Sequence, residues 1–189
     1  MNRNAQNKKE GKNGVTLVEM LVVLLIFSLV IGILMSIFVS FIKAQRYILA
    51  SQQIMDQASY VVEYMGRAIR MAKKDESGDC IGSDKNYLLI TDNHLQFKNY
   101  KGDCEEFYLE NDEKIYQRKG SSQEIPLTSS KFRVTKLEFI IQGDDLNETQ
   151  PRQPRVTILL EMEAKDIKPV PKIKIQTTVS QRDLDLKNQ

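Results

Sequence analysis

Residues 12–27 read KNGVTLVEMLVVLLIF and place an ionisable side chain, Glu19, at the start of an apolar run that continues to Ile42. Between Met20 and Ile42 the sequence has no charged residue. A helix of about 23 residues rises roughly 35 Å, which is enough to cross the roughly 30 Å hydrocarbon core of a bilayer. An ionised carboxylate at the bilayer centre is disfavoured by about 2.5–3.5 kcal/mol, so a glutamate in such a segment is expected to have a partner and a function. The stretch therefore predicts a membrane-inserted helix with one functional acid.

A polar, basic segment precedes the apolar run. Residues 1–14, MNRNAQNKKEGKNG, carry four basic side chains and a single acid, Glu10. Because positive charge stays on the cytoplasmic side, this segment is predicted to lie in the cytoplasm and the residues after Ile42 outside it. A secretory signal has an apolar region of only about 7–15 residues and an Ala-x-Ala-like cleavage site. The run is longer and no such site follows it, so a retained single-pass membrane segment over residues 15–42 is predicted.

The helical pattern continues beyond the apolar run, over residues 43–74. No proline interrupts these residues, and apolar side chains recur at spacings of three, four and seven. Those spacings predict one amphipathic face that packs on another layer. The predicted face consists of Ile48, Ile54, Met55, Ala58, Val61, Val62, Met65, Ala68, Ile69 and Ala72. We therefore expect one helix from Val15 to about Lys74, with Gly32 and Gly66 as points of bending or close packing.

Residues 75–189 change to short strand-like runs that are separated by turn clusters. Two hairpins are predicted: NYLLIT and HLQFKNY around Asp92 and Asn93, and EFYLE and KIYQRK around residues 111–113. Further strands are predicted from VTKLEFIIQG, RVTILLEMEAK and KIKIQTTVSQR. The stretches GSSQEIPLTSS, GDDLNETQPRQP and DIKPVP are predicted loops. The expected fold class is α+β, with the helix packed on an antiparallel sheet.

Charge and cysteine content narrow the classes of function. The chain has 189 residues and a formal net charge of +2, which gives no strong electrostatic field. Cys80 and Cys104 both follow the membrane segment, on the side where oxidation is permitted, and a disulfide between them is predicted, with two buried free thiols as the alternative. Such a loop is worth about 3 kcal/mol in the chain-entropy model. Neither cysteine has a histidine or a second cysteine at metal-ligand spacing, so no metal or other cofactor is expected.

The start of the chain resembles a known processing signal. A short basic leader ends in Gly14, and the residues VTLVE and an uninterrupted apolar run follow it. This pattern resembles the N-terminal cleavage and methylation motif of type IV prepilins and type II secretion pseudopilins, in which a glycine precedes the first mature residue and a Thr-Leu-Ile/Val-Glu string follows. The chain departs from that family at Val15, where phenylalanine is commoner. Its last predicted strand, TTVSQRDL, looks like the C-terminal strand of minor subunits of the J or W type.

The resemblance implies a mechanism of processing and assembly. A prepilin peptidase would cut between Gly14 and Val15 and methylate the new amino group, and glycine at the cut leaves room for the peptidase to approach an extended backbone. Glu19 would then pair with the N-terminus of a neighbouring subunit, with Thr16 as a second assembly residue. The implied partners are the peptidase, other pilin or pseudopilin subunits, the inner-membrane assembly platform and the membrane. The implied location is the inner membrane, followed by a filament in the periplasm or at the cell surface.

Several alternatives stay open at the level of sequence. A minor filament subunit is favoured because the sheet domain is large and its loops are irregular, and a major shaft subunit is the alternative within the family. Outside the family, an extracytoplasmic binding domain on an uncleaved anchor fits the same topology. An enzyme ranks last, because the sequence has no convergent pattern of acid, base and nucleophile. Glu19 alone fits an acid at the membrane edge as well, and Thr16 is equally suited to capping the helix.

Two polar features of the second half are interpreted as ordinary surface. His94 is the only histidine and is predicted to be a solvated turn residue rather than a catalytic one. The acidic cluster DDLNE at residues 144–148 offers oxygen ligands for Ca²⁺ but lacks the spacing of a defined calcium loop, so a plain acidic loop is expected.

A modest basic strip is formed by Lys165, Lys168, Lys172 and Lys174. In a DNA-receptor pilus such a strip would contact phosphates. Without residues 1–14, however, the chain has 23 basic and 24 acidic side chains. A solvated face is therefore predicted, and nucleic acid is not expected as a partner.

Overall fold

The computed structural model of the chain describes residues 14–143 and 153–182. The chain divides into two compact units, residues 1–45 and residues 46–189. One helix, α1, spans Leu17–Arg70 and contributes to both units. The strands are β1 Tyr87–Thr91, β2 His94–Lys98, β3 Cys104–Leu109, β4 Ile115–Lys119, β5 Ile125–Pro126, β6 Phe132–Gln142, β7 Arg155–Ala164 and β8 Lys172–Ser180. The predicted α+β class is confirmed.

The first unit contains the apolar part of α1. Every described residue from Gly14 to Gln45 is exposed, so nothing within this unit covers its apolar side chains. The serine hydroxyls of the run bond within the helix: Ser28, Ser36 and Ser40 donate to the carbonyls of Leu25, Ile33 and Ser36 at 2.8, 3.0 and 2.9 Å. Such local bonds allow a hydroxyl to enter an apolar environment without leaving its donor unpaired. The surface of this unit therefore suits lipid or other apolar helices.

The part of α1 in the second unit has one buried face. Its buried residues are Ala50, Ile54, Ala58, Val61, Met65, Gly66 and Ile69. Their spacing of three and four is the one that the sequence predicts. The prediction is wrong for Ile48 and Met55, which are 47% and 57% exposed. Both lie about 100–120° around the helix from Ile54, so they point away from the buried face.

The helix ends at Arg70 rather than at the predicted Lys74. Beyond Arg70 the backbone is drawn into pairing with a distant strand, because the Lys73 N–H donates to the Lys98 carbonyl at 2.9 Å. The apolar spacing continues through Ala72, which is only 1% exposed although it lies outside the helix. Long-range pairing therefore outweighs helical periodicity at this end.

Groups from distant parts of the chain cover the carbonyls at the end of α1. The last carbonyls of any helix have no partner within it. Three carbonyls at or just beyond this end accept bonds, namely Ile69 from the Tyr87 hydroxyl at 2.8 Å, Arg70 from the Arg182 N–H at 2.8 Å and Ala72 from the Gln181 side chain at 3.1 Å. The helix end is thus held by both the start and the finish of the strand region.

Strands β1 to β5 form a five-stranded antiparallel sheet in sequence order. Both predicted hairpins are confirmed: β1 pairs with β2, and β3 pairs with β4. β2 also pairs with β3, so the hairpins are neighbours. The two residues of β5 pair with β4, whereas the sequence predicts only a loop in GSSQEIPLTSS.

Strands β6, β7 and β8 form a separate three-stranded antiparallel sheet, so two sheets replace the single sheet that we expected. The reason lies in the edge of β6. The Phe139 N–H donates to the Asp92 carbonyl at 2.8 Å, and the Val134 N–H donates to the Glu113 carbonyl at 2.9 Å. Asp92 and Glu113 lie in the turns of the two hairpins. β6 therefore bonds to the hairpin ends instead of extending the first sheet.

One apolar core joins both sheets to the second part of α1. Its completely buried members include Leu95, Phe97 and Phe107 from the first sheet and Ile158 and Leu160 from the second. The rings of Phe97 and Phe107 lie 5.7 Å apart. Burying one such side chain contributes about 1.5–3 kcal/mol. This core fixes the helix relative to the strands within the second unit.

Candidate processing and assembly site

The N-terminal site that the sequence predicts begins just before α1. Gly14, Val15 and Thr16 are not helical, and the helix begins at Leu17. A Cβ atom added to Gly14 would meet no heavy atom within 4 Å, so nothing in the described part of the chain requires glycine there. A requirement for a small residue at this position would have to come from a molecule that binds the segment.

Thr16 caps the helix. The Glu19 N–H donates to Thr16 Oγ1 at 3.2 Å, and the Met20 N–H donates to the Thr16 carbonyl at 3.2 Å. Threonine followed three residues later by glutamate is the sequence of a capping box, and its threonine half is formed here. The capping role that the sequence leaves open for Thr16 is therefore present in the structure.

Glu19 lies in the first turn of α1 and is exposed. A carboxylate at this position interacts favourably with the helix dipole, by about 0.3–1 kcal/mol at an exposed site. Within residues 14–143 and 153–182 its side chain has no hydrogen bond or ion pair. The carboxylate is therefore accessible to a cation from another molecule.

The apolar surface that follows Glu19 has the length of a membrane-spanning segment. By length and composition, α1 is able to cross a membrane. Its large apolar side chains from Val15 to Ile42 are all exposed. Extended apolar surfaces of this kind mark contact with lipid or with other proteins. These observations fit a single-pass membrane anchor.

Comparison with known protein families places a match at this end of the chain. Residues 11–35 match the family model described as the prokaryotic N-terminal methylation motif. The matched segment contains Gly14, Thr16 and Glu19, and it supports a pilin- or pseudopilin-type subunit. Comparison of the chain with curated proteins and with solved structures gave no match.

A disulfide joins Cys80 to Cys104, as the sequence predicts. Cys104 is the first residue of β3, and Cys80 lies in the segment between α1 and β1. The two Cα atoms are 5.5 Å apart. The disulfide therefore ties the chain that leaves the helix to the middle of the five-stranded sheet.

Asp75 is an anchoring residue that sequence reasoning missed. It is 0% exposed and lies five residues beyond the end of α1. Its carboxylate accepts hydrogen bonds from the N–H groups of Gly78, Cys80 and Ile81, from the Ser77 hydroxyl and from Lys98 Nζ, at 2.8–3.1 Å. The signal in the sequence is the short string Asp-Glu-Ser-Gly, in which an aspartate side chain bonds to the backbone that follows it. Such strings are common, so the sequence alone does not identify this aspartate as buried.

Opposing influences set the charge state of Asp75. Burial is the largest single influence and raises the pKa of the carboxyl, but the hydrogen bonds from Ile81, Lys98 and Cys80 together outweigh it and hold the pKa well below its usual range. The hydrogen bond from Lys98 to this carboxylate raises the pKa of the lysine. A buried ion pair whose remaining groups are hydrogen-bonded avoids the cost of an isolated charge. The pair thus fixes the segment after α1 against β2.

His94 differs from its prediction as a solvated turn residue. It is the first residue of β2, its side chain is 19% exposed, and its Nε2 lies 3.0 Å from Glu106 Oε2. Arg118 contacts the same carboxylate oxygen at 2.6 Å, and the ring of Tyr108 lies 4.9 Å from the imidazole. The prediction was wrong because the turn is only two residues long. His94 therefore already belongs to β2 and pairs with Tyr108, so its side chain lies beside side chains of β3.

The predicted basic strip is largely ion-paired. Lys172 lies 3.0 Å from Glu163, Lys174 lies 2.6 Å from Glu161, and Lys165 lies 3.8 Å from Glu113. Exposed pairs of this kind contribute only about 0–1 kcal/mol each. They do reduce the positive charge that the strip offers to a phosphate.

The acidic cluster at residues 144–148 lies outside the described residues. Within residues 14–143 and 153–182, no group of three or more His, Cys, Asp or Glu side chains is arranged to hold a metal ion.

Proposed function

We propose that the protein is a minor pilin or pseudopilin, a structural subunit of a type IV pilus-like or type II secretion filament. The family match over residues 11–35 supports the general class. The observation that carries the proposal is the arrangement at the start of α1: Gly14 is sterically unconstrained, Thr16 caps the helix, and the Glu19 side chain has no partner among the described residues. An uncovered apolar surface follows directly. The proposed role is structural rather than catalytic.

Processing is the first step of the proposal. A prepilin peptidase cuts the peptide bond between Gly14 and Val15 on the cytoplasmic side and methylates the new amino group. The cut removes four basic side chains and one acidic side chain. Basic residues hold a segment at the cytoplasmic surface, so their removal allows the subunit to move out of the bilayer into a filament.

Pairing of Glu19 is the second step. The new α-amino group at Val15 has an ordinary pKa of about 7.7–8.0 and is largely protonated at neutral pH. Val15 and Glu19 are four residues apart in the chain, so each subunit offers a cation and an anion at different heights. A head-to-tail contact of this kind propagates as a helical filament instead of closing a ring. In apolar surroundings each charge alone carries a large desolvation cost, which favours the pair.

The surface of the second unit supports a minor rather than a major position for the subunit in the filament. Two separate sheets and a two-residue strand make an irregular surface. Such a surface is harder to repeat along a shaft than a compact sheet, which favours a minor subunit over a major one. The orientation places residues 1–14 in the cytoplasm and the second unit outside, where the disulfide at Cys80 and Cys104 is stable. The partners are the peptidase, other subunits and the inner-membrane assembly platform.

The test of processing is the mass of the N-terminal peptide of the protein from membranes of cells that carry the cognate peptidase. We expect a peptide that begins at Val15, with or without one methyl group. Gly14→Val is expected to block the cut, and Ala5→Val in the same leader is the control that leaves it intact. A peptide that begins at Met1 or Asn2 beside an active peptidase would favour an uncleaved anchor with a binding domain.

The test of pairing separates assembly from processing. Glu19→Ala is expected to leave the cut intact but to deplete the subunit from purified filaments. Met20→Ala, the next exposed residue of the helix, serves as the control and is expected to assemble normally. Normal incorporation of the Glu19 variant would contradict the pairing model.

A further inference from the structure

Strand β8 carries the longest regular free edge in the described part of the second unit. The strands at the ends of the two sheets are β1, β5, β6 and β8. β1 has five residues and a register shift, β5 has two residues, and the edge of β6 bonds to the hairpin turns. β8 pairs with β7 over nine consecutive residues without a shift. Proteins usually shorten, bend or cover such an edge, because it is a template for another strand.

The backbone groups that β8 directs to its free edge follow from two hydrogen bonds. The Ala164 N–H donates to the Pro171 carbonyl, and the Gln181 N–H donates to the Pro154 carbonyl, both at 3.0 Å. In an antiparallel pair, residues alternate between bonding to the partner strand and pointing away from it. The odd-numbered residues of β8 therefore bond to β7. The even-numbered residues present their N–H and C=O groups at the open edge, from Lys172 to Ser180.

A groove of about 550 Å³ with both apolar and polar walls runs between this edge and the second part of α1. Val62 on the helix and Ile175 on the strand are half-buried in its walls. The groove narrows at Gly66, where an added Cβ would lie 3.3 Å from Val179 Cγ2. An extra strand on β8 would place every second side chain in this groove.

The charged residues on the helix wall of the groove have a net positive charge, with two arginines and one glutamate. Arg67 and Arg70 are exposed on the helix wall, and Glu63, which pairs with Arg67, is the acid on that wall. Lys172 and Lys174 are exposed on the other face of β8, where they pair with Glu163 and Glu161 and do not line the groove. Lysines on an edge strand commonly prevent that edge from pairing with another chain and aggregating. However, Lys172 and Lys174 occupy one end of β8, and the stretch QTTVS at residues 176–180 has no charge, bulge or proline.

We propose that the edge of β8 is a docking site for an extended, acidic segment of a different protein, which adds to the sheet as a further strand. Its backbone bonds to the even-numbered residues of β8, its apolar side chains enter the groove, and its acids face Arg67 and Arg70. A second copy of the chain is a poor occupant, because its candidate edge strands β1, β5 and β8 contain no acid that could face the arginines. The proposal does not depend on processing at Gly14, because the site lies entirely in the second unit.

The experiment uses the full chain in detergent micelles and a synthetic peptide of about eight alternating glutamate and valine residues. Amide hydrogen exchange is followed residue by residue at about 1 mM peptide. We expect exchange at Lys174, Gln176 and Thr178 to slow by roughly tenfold or more. A peptide of alternating lysine and valine is the matched probe and is expected to protect these amides much less.

Two variants at one position test the backbone contact. Gln176→Pro removes an edge N–H while keeping the bonds to β7, and it is expected to weaken peptide binding by roughly tenfold or more. Gln176→Ala keeps the N–H and is expected to bind as the wild type does. Unchanged protection of Ile175 and Val179 shows that β8 is still paired. Arg67→Glu is expected to reduce the preference for the acidic peptide.

Four results would overturn the proposal. These are no protection of the edge amides at the highest peptide concentration, equal protection by the acidic and basic peptides, undiminished binding by Gln176→Pro, and edge protection without peptide. In the last case, dependence on protein concentration would identify a second copy as the occupant. Loss of that protection on deletion of residues 183–189 would identify the end of the same chain.

Discussion

The first part of α1, Leu17 to Gln45, and the second part, Arg46 to Arg70, share one secondary structure in opposite surroundings. Every described residue of the first part is exposed, whereas the second part buries a continuous face against two sheets. Most helices in proteins gain their stability from packing one face rather than from intrinsic propensity. The second part follows this rule within its own unit. The first part depends on lipid or on other helices for the same contribution.

The comparison shows that the distribution of apolar residues around a helix determines what the helix contacts, whereas both distributions are compatible with the same secondary structure. The first part is apolar on all sides, which leaves no preferred face, whereas the second part confines its apolar residues to one side. A destabilising substitution in the second part of α1 is therefore expected to unfold the second unit. A matched substitution in the first part is expected to leave the second unit folded. Matched substitutions in the two parts test this contrast.

The largest effect is expected at Asp75, five residues beyond the end of the second part. Asp75→Asn removes the charge that accepts bonds from three backbone N–H groups and from Lys98. We expect it to lower the free energy of unfolding of the second unit by about 4 kcal/mol, as for other buried ion pairs that lose one partner. Urea unfolding of the full chain in detergent, followed by near-UV circular dichroism, measures this change.

Asp84→Asn is the control for that variant, because the side chain of the exposed Asp84 pairs only with Lys74 among the described residues, and asparagine also tolerates its φ of 66°. It is expected to change stability by no more than about 0.5 kcal/mol. The Asp75 pKa is lower in the folded protein than the ordinary value of about 3.9, so its contribution is present above that pH and is lost as pH falls from there through the folded-state pKa. The wild type should therefore lose more stability on acidification than Asp75→Asn does. Equal acid dependence of the two proteins would contradict the assigned role.

A core substitution is expected to have the next largest effect. Ile54 is 1% exposed on the buried face, and Ile33 is 61% exposed in the first part. Ile54→Ala is expected to cost the second unit about 3 kcal/mol through lost burial and a cavity. Ile33→Ala is expected to leave the unfolding midpoint of that unit unchanged. Equal loss from both substitutions would show that the first part stabilises the second unit as well.

The two helix glycines provide a finer comparison. An added Cβ at Gly66 would lie 3.3 Å from Val179 Cγ2, whereas at Gly32 it would meet nothing within 4 Å. Gly66→Leu is expected to destabilise the second unit by about 2 kcal/mol, because the larger side chain overpacks the contact with β8. Gly32→Leu is expected to be neutral, and urea unfolding of the full chain in detergent measures both variants. A neutral Gly66→Leu would mean that the helix and β8 separate at little cost.

The smallest effect is expected at the helix start, where no sheet is involved. Thr16→Ala removes the oxygen that accepts the Glu19 N–H and is expected to cost about 1 kcal/mol in the first turn only. Faster amide exchange at Glu19 measures this loss, and the second unit should unfold as in the wild type. Thr16→Ser keeps the oxygen and is the control. Exchange that is equally slow in all three proteins would mean that the cap adds nothing.

The parts of the fold that the sequence predicts are the local ones. The hairpin turns at Asp92 and at residues 111–113 follow from short-range signals, and both hairpins are present. The division into two sheets is not predicted, because it rests on bonds such as Phe139 to Asp92 between segments far apart in sequence. The end of α1 at Arg70 has the same origin. Periodicity alone cannot detect a long-range bond that competes with the helix.

The candidate site shows the same division. The motif around Gly14 and Glu19 is contiguous, so the sequence displays it completely. Asp75 and His94 acquire their surroundings only through folding, since their partners include Lys98 and Glu106 on neighbouring strands. The sequence around an aspartate after a helix is the same whether its side chain is buried or exposed, and this holds equally for a histidine after a turn. Strand register, which decides between these states, is a property of the whole sheet.

The hydrogen bonds that cover the end of α1 form only after nearly the whole chain has been synthesised. Gln181 lies 109 residues after Ala72, whose carbonyl it covers. Chains are synthesised from the N-terminus, so the helix is complete long before its covering groups exist. Contacts of such long sequence separation form late and slowly. A premature stop just short of Gln181 would therefore release a subunit whose helix and strands are made but whose Arg70 and Ala72 carbonyls have lost these partners.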